Sequence, residues 1–173
     1  MKKVKLIVLD VDGVLTDGKL YIGSDGEEYK CFHTQDGLGI SLARHSGIKI
    51  ALITGRTSAA VTKRAEELNI DIVYQGVHDK VRVLREIINS YNINEENVCY
   101  MGDDLNDLPI LELVGLPAAP QNAVPYVKKA VRFISKANGG EGAVRELIDY
   151  ILSEDDYHEL LNDYFKGMIN LPQ

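Results

Sequence analysis

Residues 6–18 read LIVLDVDGVLTDG, from Leu6 through Asp10, Asp12 and Gly13 to Gly18. The apolar run at the front is the pattern of a buried strand. It stops at Asp10, and a second carboxylate follows at Asp12. In an extended chain residues two apart point to the same side. Two acids at the exit of a buried strand are costly unless a cation or hydrogen bonds compensate them. Gly13 then lets the backbone turn sharply. The stretch reads as a cation site with chemistry attached; taken alone, it reads equally as a β-turn with solvated aspartates.

Outward from this stretch, strand and helix patterns alternate. Residues 19–22 and 27–32 flank Gly23-Ser24-Asp25-Gly26 and read as a β-hairpin. A polar loop, His33-Thr34-Gln35-Asp36-Gly37, leads into a helix predicted over about 38–45, which Gly47 ends. Residues 48–53 (IKIALI) form a second strand, ending in Thr54-Gly55-Arg56-Thr57-Ser58 before a helix to about residue 68. Hydroxyls and glycine between a strand and a helix N-terminus suit a phosphate, although Thr57 or Ser58 can equally be simple N-caps. Residues 71–74 (DIVY) read as a third strand, with His78-Asp79-Lys80 heading a helix to about residue 91. A lysine in a first helical turn opposes the dipole preference and can serve as a point charge for an anion, or as a solvated surface lysine. Residues 97–101 (NVCYM) end in Gly102-Asp103-Asp104-Leu105-Asn106-Asp107, a second acidic cluster at a strand exit, and a short helix follows. Minor strands are predicted at 115–119 and 131–134 around a helix at 124–129, and Gly139-Gly140-Glu141-Gly142 opens a helix to residue 152. That glycine cluster has no GK[ST] ending and is no P-loop. Residues 153–173 read as an acid-capped helix with an apolar stripe, then a loose tail.

This alternation predicts an α/β fold, a Rossmann-like, mostly parallel sheet flanked by helices, with a hairpin inserted after the first strand. Sites in such sheets form at the carboxyl ends of strands, and the clusters at Asp10, Thr54, Lys80 and Asp103 all fall there. The chain divides into a domain over 1–152, with its hairpin at about 18–33, and a C-terminal helix and tail over 153–173.

At 173 residues, 45% hydrophobic and 26% charged, the chain suits one domain with a full core. Its net charge of −7 without a basic stripe argues against nucleic acid. No apolar run reaches the length of a membrane span, and the basic opening MKKVK leads into an apolar run cut short at Asp10, so a cytoplasmic protein is expected. Cys31 and Cys99 form no motif, and the four histidines lack zinc-ligand spacing. Hard carboxylates at Asp10, Asp12 and Asp103 suit Mg²⁺. A metal beside a carboxylate, a Thr/Gly anion cradle and a lysine together describe phosphoryl transfer.

DVDGVLTD, ITGR, a lysine and GDDLND, in that order, resemble the four motifs of the haloacid dehalogenase superfamily of phosphatases. The hairpin, Phe32 to Gly37 (F-x-x-x-DG) and GGEGAVREL at 139–147 resemble its small-cap subfamily of 3-deoxy-D-manno-octulosonate 8-phosphate phosphatases, extending the match to about residue 152. The resemblance implies a fold without a large cap domain, Asp10 as nucleophile and Mg²⁺ ligand, and Asp12 as acid and base with its backbone carbonyl on the metal. It also implies phosphoryl contacts from Thr54 and Gly55, charge neutralisation by Lys80, Asp103 on the metal, and Asp104 and Asp107 supporting it or orienting Lys80. Sugar-acid contacts would come from His33, Thr34, Gln35, Asp36, Gly37, Arg56, Arg64 and Asn106. Arg56 and Arg64, eight apart on one predicted helix, would share a face.

The family often has an arginine where this chain has Ser41, with Arg44 a turn later. The resemblance further implies a homotetramer assembled by the hairpins, a neighbour's C-terminal segment closing each pocket, and a role in lipopolysaccharide biosynthesis. A nine-carbon ulosonate 9-phosphate (KDN or N-acylneuraminate type) is the alternative substrate. A phosphoryl-accepting signalling module and an idle scaffold are the alternatives of other classes.

Overall fold

The computed structural model describes residues 3–152 and 157–169. In chain order it contains β1 (Leu6–Leu9), β2 (Tyr21–Ile22), β3 (Glu28–Tyr29), α1 (Thr34–His45), β4 (Lys49–Ile53), α2 (Ala59–Glu67), β5 (Ile72–Tyr74) and α3 (Lys80–Tyr91). Then come a 3₁₀ turn (Glu95–Asn97), β6 (Val98–Met101), a second 3₁₀ turn (Leu105–Asp107), α4 (Leu108–Leu111), β7 (Leu116–Ala119), α5 (Pro125–Ala130), β8 (Phe133–Ile134), α6 (Ala143–Leu152) and α7 (Tyr157–Ile169).

Among the described residues one parallel sheet runs in the order β5-β4-β1-β6-β7-β8. β1 lies at its centre and is buried throughout, which is why its sequence is a continuous apolar run rather than an alternating one. Its side chains divide between two cores. Ile7 and Leu9 pack with α1, α2 and α6 on one face. Leu6 and Val8 pack with α3, α4 and α5 on the other. The chain leaves β1 toward β4 and β5, then returns to β6 on β1's other side. This reversal opens a crevice beyond the carboxyl ends of β1, β4 and β6.

The hairpin β2–β3 pairs antiparallel outside this sheet, and Leu20, Tyr21, Ile22 and Tyr29 are exposed on it. No cap domain covers the crevice among the described residues, and no helix is long and apolar enough to cross a membrane.

Two boundaries differ from the sequence reading. α1 begins at Thr34 rather than near residue 38, so the supposed polar loop is its first turn, with His33 at the N-cap. Gly37 and Gly39 disguise this turn in the sequence. Gly37 lies against the Arg64 guanidinium and Gly39 against Arg145, and a Cβ at either position would press on its arginine. α2 begins at Ala59, which leaves Arg56 in the loop and Arg64 in the helix, so the two do not share a helix face. α7 packs on α1 of its own chain, where His45 Nε2 lies 3.0 Å from Asp163 Oδ2 and its ring meets Tyr164 edge-on. The predicted acid cap at 153–156 and the end of the tail at 170–173 lie outside the described residues.

Candidate active site

The register of the sheet brings the acids together. Leu9 pairs with Leu52 and with Met101, so the residues leaving the three strands stand side by side. The Asp10 N–H donates to the Met101 carbonyl at 3.0 Å. Beyond Asp10, the N–H groups of Val14, Leu15 and Thr16 all point to the Val11 carbonyl, forming one tight turn. Gly13 sits in it at φ +82°, and a Cβ there would overlap the Asp103 carboxylate. Glycine is therefore required twice, for the turn and for the close approach of the second acidic loop.

The 139–142 glycines, left unexplained by the sequence, clamp this turn. A Cβ on Gly139 would strike the Gly13 carbonyl, and Gly140 N–H donates to Val14 O at 3.0 Å. Asn122 bridges the same two loops, donating to Gly13 O at 2.9 Å and accepting from Gly139 N–H at 2.6 Å.

Beneath the crevice Lys80 is buried at the first turn of α3. Its Nζ donates to Asp10 Oδ2 at 2.7 Å, to Asp107 Oδ1 at 2.6 Å and to the Tyr100 hydroxyl at 3.2 Å. Tyr100 in turn donates to Asp107 Oδ1 at 2.6 Å. The other Asp107 oxygen accepts from the Asp103 and Asp104 N–H groups at 2.9 and 3.3 Å. Each oxygen of Asp107 is thus engaged, and Asp104 caps the following turn by accepting from Leu105 N–H. Burial alone would lower the Lys80 pKa, but the charges of Asp10 and Asp107 more than reverse this and raise it. The helix-dipole conflict seen in the sequence is resolved the same way, because two carboxylates face the ammonium.

Carboxylate oxygens of Asp10, Asp103 and Asp107 lie within 4.8 Å of one another. Burial pushes the Asp10 carboxyl up to about 6, with Lys80 pulling it back and Asp107 adding to the rise. Burial, then the charges of Asp10, Asp107 and Asp104, push Asp103 up to about 7. Such a cluster is short of positive charge, and all its donors are hard oxygens, so it fits a divalent cation of the Mg²⁺ type. Asp10 is engaged as well, Oδ1 accepting from Val11 N–H at 2.7 Å and Oδ2 from Lys80, but it and Asp103 line the cleft whereas Asp107 does not, so Asp10 and Asp103 are the acids that could hold it. The side chain of Asp12, expected near the metal through its carbonyl, does not belong to this trio.

A cleft of about 240 Å³ lies above these groups, lined by Asp10, Asp12, Gly18, Thr54, Gly55, Arg56, Asp103, Asp104 and Asn106. Thr54 is 2% exposed, and its backbone is pinned by bonds to Tyr74 and Val77. The residues 33–37 and Arg64 do not line the cleft. Asp36 is buried and accepts from Arg145 N–H at 2.8 Å, capping α6, and burial raises its pKa. Arg64 reaches Glu67 at 3.2 Å and stands over the Phe32 ring. Ser41 bonds its own helix at Gly37 O, and Arg44 reaches the Leu68 carbonyl.

The sequence reading missed three groups. Tyr100 reads as a core aromatic within a buried strand. Lys30 and Glu28 read as ordinary hairpin charges, yet Lys30 Nζ donates to Asp12 Oδ1 at 2.5 Å and lies 2.6 Å from Glu28 Oε1. Their spacing of two along a strand, which puts both on one face, was the available signal.

Residues 69–148 match the family described as haloacid dehalogenase-like hydrolase. The KdsC 3-deoxy-D-manno-octulosonate 8-phosphate phosphatase of Escherichia coli K12 is 42% identical over 151 residues, 87% of this chain and 80% of that protein. The crystal structure of 3-deoxy-D-manno-octulosonate 8-phosphate phosphatase from Moraxella catarrhalis, in complex with a magnesium ion, a phosphate ion and KDO, superposes with a TM-score of 0.90 at 38% identity, covering 94% of this chain and 93% of that one. The cobalt-bound deoxy-D-mannose-octulosonate 8-phosphate phosphatase of Haemophilus influenzae gives 0.84 at 37%, covering 87% and 88%. The chain belongs to the haloacid dehalogenase-like hydrolases and, within them, to the family of the 3-deoxy-D-manno-octulosonate 8-phosphate phosphatases.

Proposed function

We propose that this protein is a Mg²⁺-dependent phosphatase that releases phosphate from 3-deoxy-D-manno-octulosonate 8-phosphate through an aspartyl-phosphate on Asp10. The observation that carries the reading is the single cleft in which Asp10, Asp12, Thr54 and Asp103 meet, with the Lys80 ammonium fixed 2.7 Å from Asp10.

An Asp10 oxygen attacks phosphorus, and the bond from phosphorus to the sugar oxygen breaks. Its electron pair stays on that oxygen, which takes the proton of the Asp12 carboxyl. Asp12, now a carboxylate, then removes a proton from water as the water oxygen attacks phosphorus. The bond between phosphorus and Asp10 breaks, its electron pair returns to the carboxylate, and phosphate is freed. Lys80 holds Asp10 ionised and orients it, Tyr100 and Asp107 hold Lys80, and the Thr54 hydroxyl with the Gly55 backbone receives phosphoryl oxygens. Mg²⁺ held by Asp10, Asp103 and the Asp12 carbonyl supplies charge stabilisation to the phosphoryl group when bound. Arg56, on the rim, keeps Nη2 on Glu28 and offers its remaining N–H groups to the sugar carboxylate.

A cytoplasmic homotetramer completes the reading. Its support is the exposed apolar hairpin, an edge that invites pairing with other copies. The test is phosphate release from the eight-carbon 8-phosphate and the nine-carbon 9-phosphate, with Mg²⁺ and with chelator. Preference for the first, lost with chelator, is expected. Preference for the second moves the substrate, and inactivity on both rejects the reading.

A further inference from the structure

Asp10 and Asp12 are gripped from opposite sides. Lys80 comes from the core, whereas the partner of Asp12 comes from the hairpin. The Lys30 side chain is only 1% exposed, although it stands just beyond a two-residue strand at the molecular surface. Its Nζ lies between Asp12 Oδ1 at 2.5 Å and Glu28 Oε1 at 2.6 Å. Glu28 is fixed in turn, because its other oxygen accepts from Arg56 Nη2 at 2.6 Å. Asp12 lines the cleft, and its Oδ2, not bonded to Lys30, has Arg56 Nε 3.9 Å away. The stretch from Asp12 to Lys30, eighteen positions later, therefore forms a loop whose far end returns a shielded cation to the acid at its start.

We infer that Lys30 is a positioning residue for Asp12, resting on the phosphatase reading above. An acid that must protonate a departing oxygen and then meet a water needs one oxygen held within hydrogen-bond reach of both. Asp12 sits in a turn, with no strand neighbour to fix its side chain. Lys30 takes Oδ1 and thereby sets the direction of Oδ2. Glu28 completes the grip by balancing an ammonium that solvent does not reach. Lys30 itself does not line the cleft.

Two esters that differ in their need for a proton test this. Nitrophenolate leaves phosphorus without protonation, whereas an alkoxide such as that of a simple alkyl phosphate does not. Lys30→Met is compared with wild type by rapid quench in Mg²⁺. With p-nitrophenyl phosphate it should give a burst near one nitrophenolate per site, then a steady rate about 10²-fold below wild type, because only the water step needs Asp12. With the alkyl phosphate the burst itself should disappear, while KM stays within about threefold. Propylammonium added to Lys30→Ala should restore part of the steady rate. If burst and steady rate fall by one factor for both esters, or neither falls, the inference is wrong. Should Lys30→Met not fold, Glu28→Gln replaces it and should slow the alkyl ester more than the aryl ester; equal slowing rejects the idea. Wild-type protein that cleaves neither ester rejects the phosphatase reading itself, and the role of Lys30 with it.

Discussion

Two carboxylates two residues apart meet two different lysines, and the surroundings of those lysines differ. Asp10, Lys80, Tyr100 and Asp107 are buried, standing at the exit of β1, in the first turn of α3, in β6 and in the 3₁₀ turn that follows it. Lys80 begins a helix whose Val83, Leu84, Ile87 and Ile88 are buried, each side chain adding about 1.5–3 kcal/mol. Asp12, Lys30, Glu28 and Arg56 are instead joined through a hairpin with two-residue strands and largely exposed side chains. Such a hairpin is marginal on its own. The proposed nucleophile is thus placed by the fold, and the proposed acid and base by an appendage.

The sharpest break of the inner cluster is Asp10→Asn. Turnover should fall by about 10⁴-fold or more while far-ultraviolet circular dichroism is unchanged. Substantial residual activity would mean the nucleophile is elsewhere. Next in size is Leu84→Ala, in the fully buried core beneath Lys80. Denaturant unfolding should show a loss of about 2–5 kcal/mol. Ile22→Ser on the exposed hairpin should cost the protomer no more than about 0.5 kcal/mol. In the proposed homotetramer it should instead shift the species seen in light scattering to smaller ones. Equal costs at the two sites would erase the contrast between core and appendage.

A subtler effect follows from charge. Without metal, Asp10 and Asp103 titrate at about 6 and about 7, above their ordinary 3.8. The folded state then binds more protons than the unfolded one between about pH 4 and 7, so metal-free stability should decline as pH rises through that window. Mg²⁺ competes with those protons, so the rise in Tm on adding it should be small at pH 5 and larger at pH 8. A shift independent of pH would remove these two acids from the metal site.

Much of this arrangement was legible in the sequence because the functional residues interrupt strong hydrophobic runs. Asp10, Thr54 and Asp103 each stand where a buried strand ends, and order along the chain was enough to gather them at one end of the sheet. What stayed hidden depends on contacts distant in sequence. Asp36 looks like a loop acid beside a glycine, but its partner is the amide of Arg145 on another helix. Gly139 has no local reason to be glycine, and the reason is the Gly13 carbonyl lying against it, whereas Gly140 also takes a left-handed φ of +69°. Lys30 looks solvated because nothing local shows that the hairpin folds it back onto Asp12. Arg56 and Arg64 were joined by a periodicity that begins three residues after Arg56.

The account turns on a covalent phosphate at Asp10. Turnover in Mg²⁺ quenched with acid, then reduced with borohydride and mapped by mass spectrometry, should convert Asp10 alone to homoserine, only when substrate is present. Reduction at Asp12 or Asp103 instead, or rapid phosphate release with no trapped residue, would contradict it.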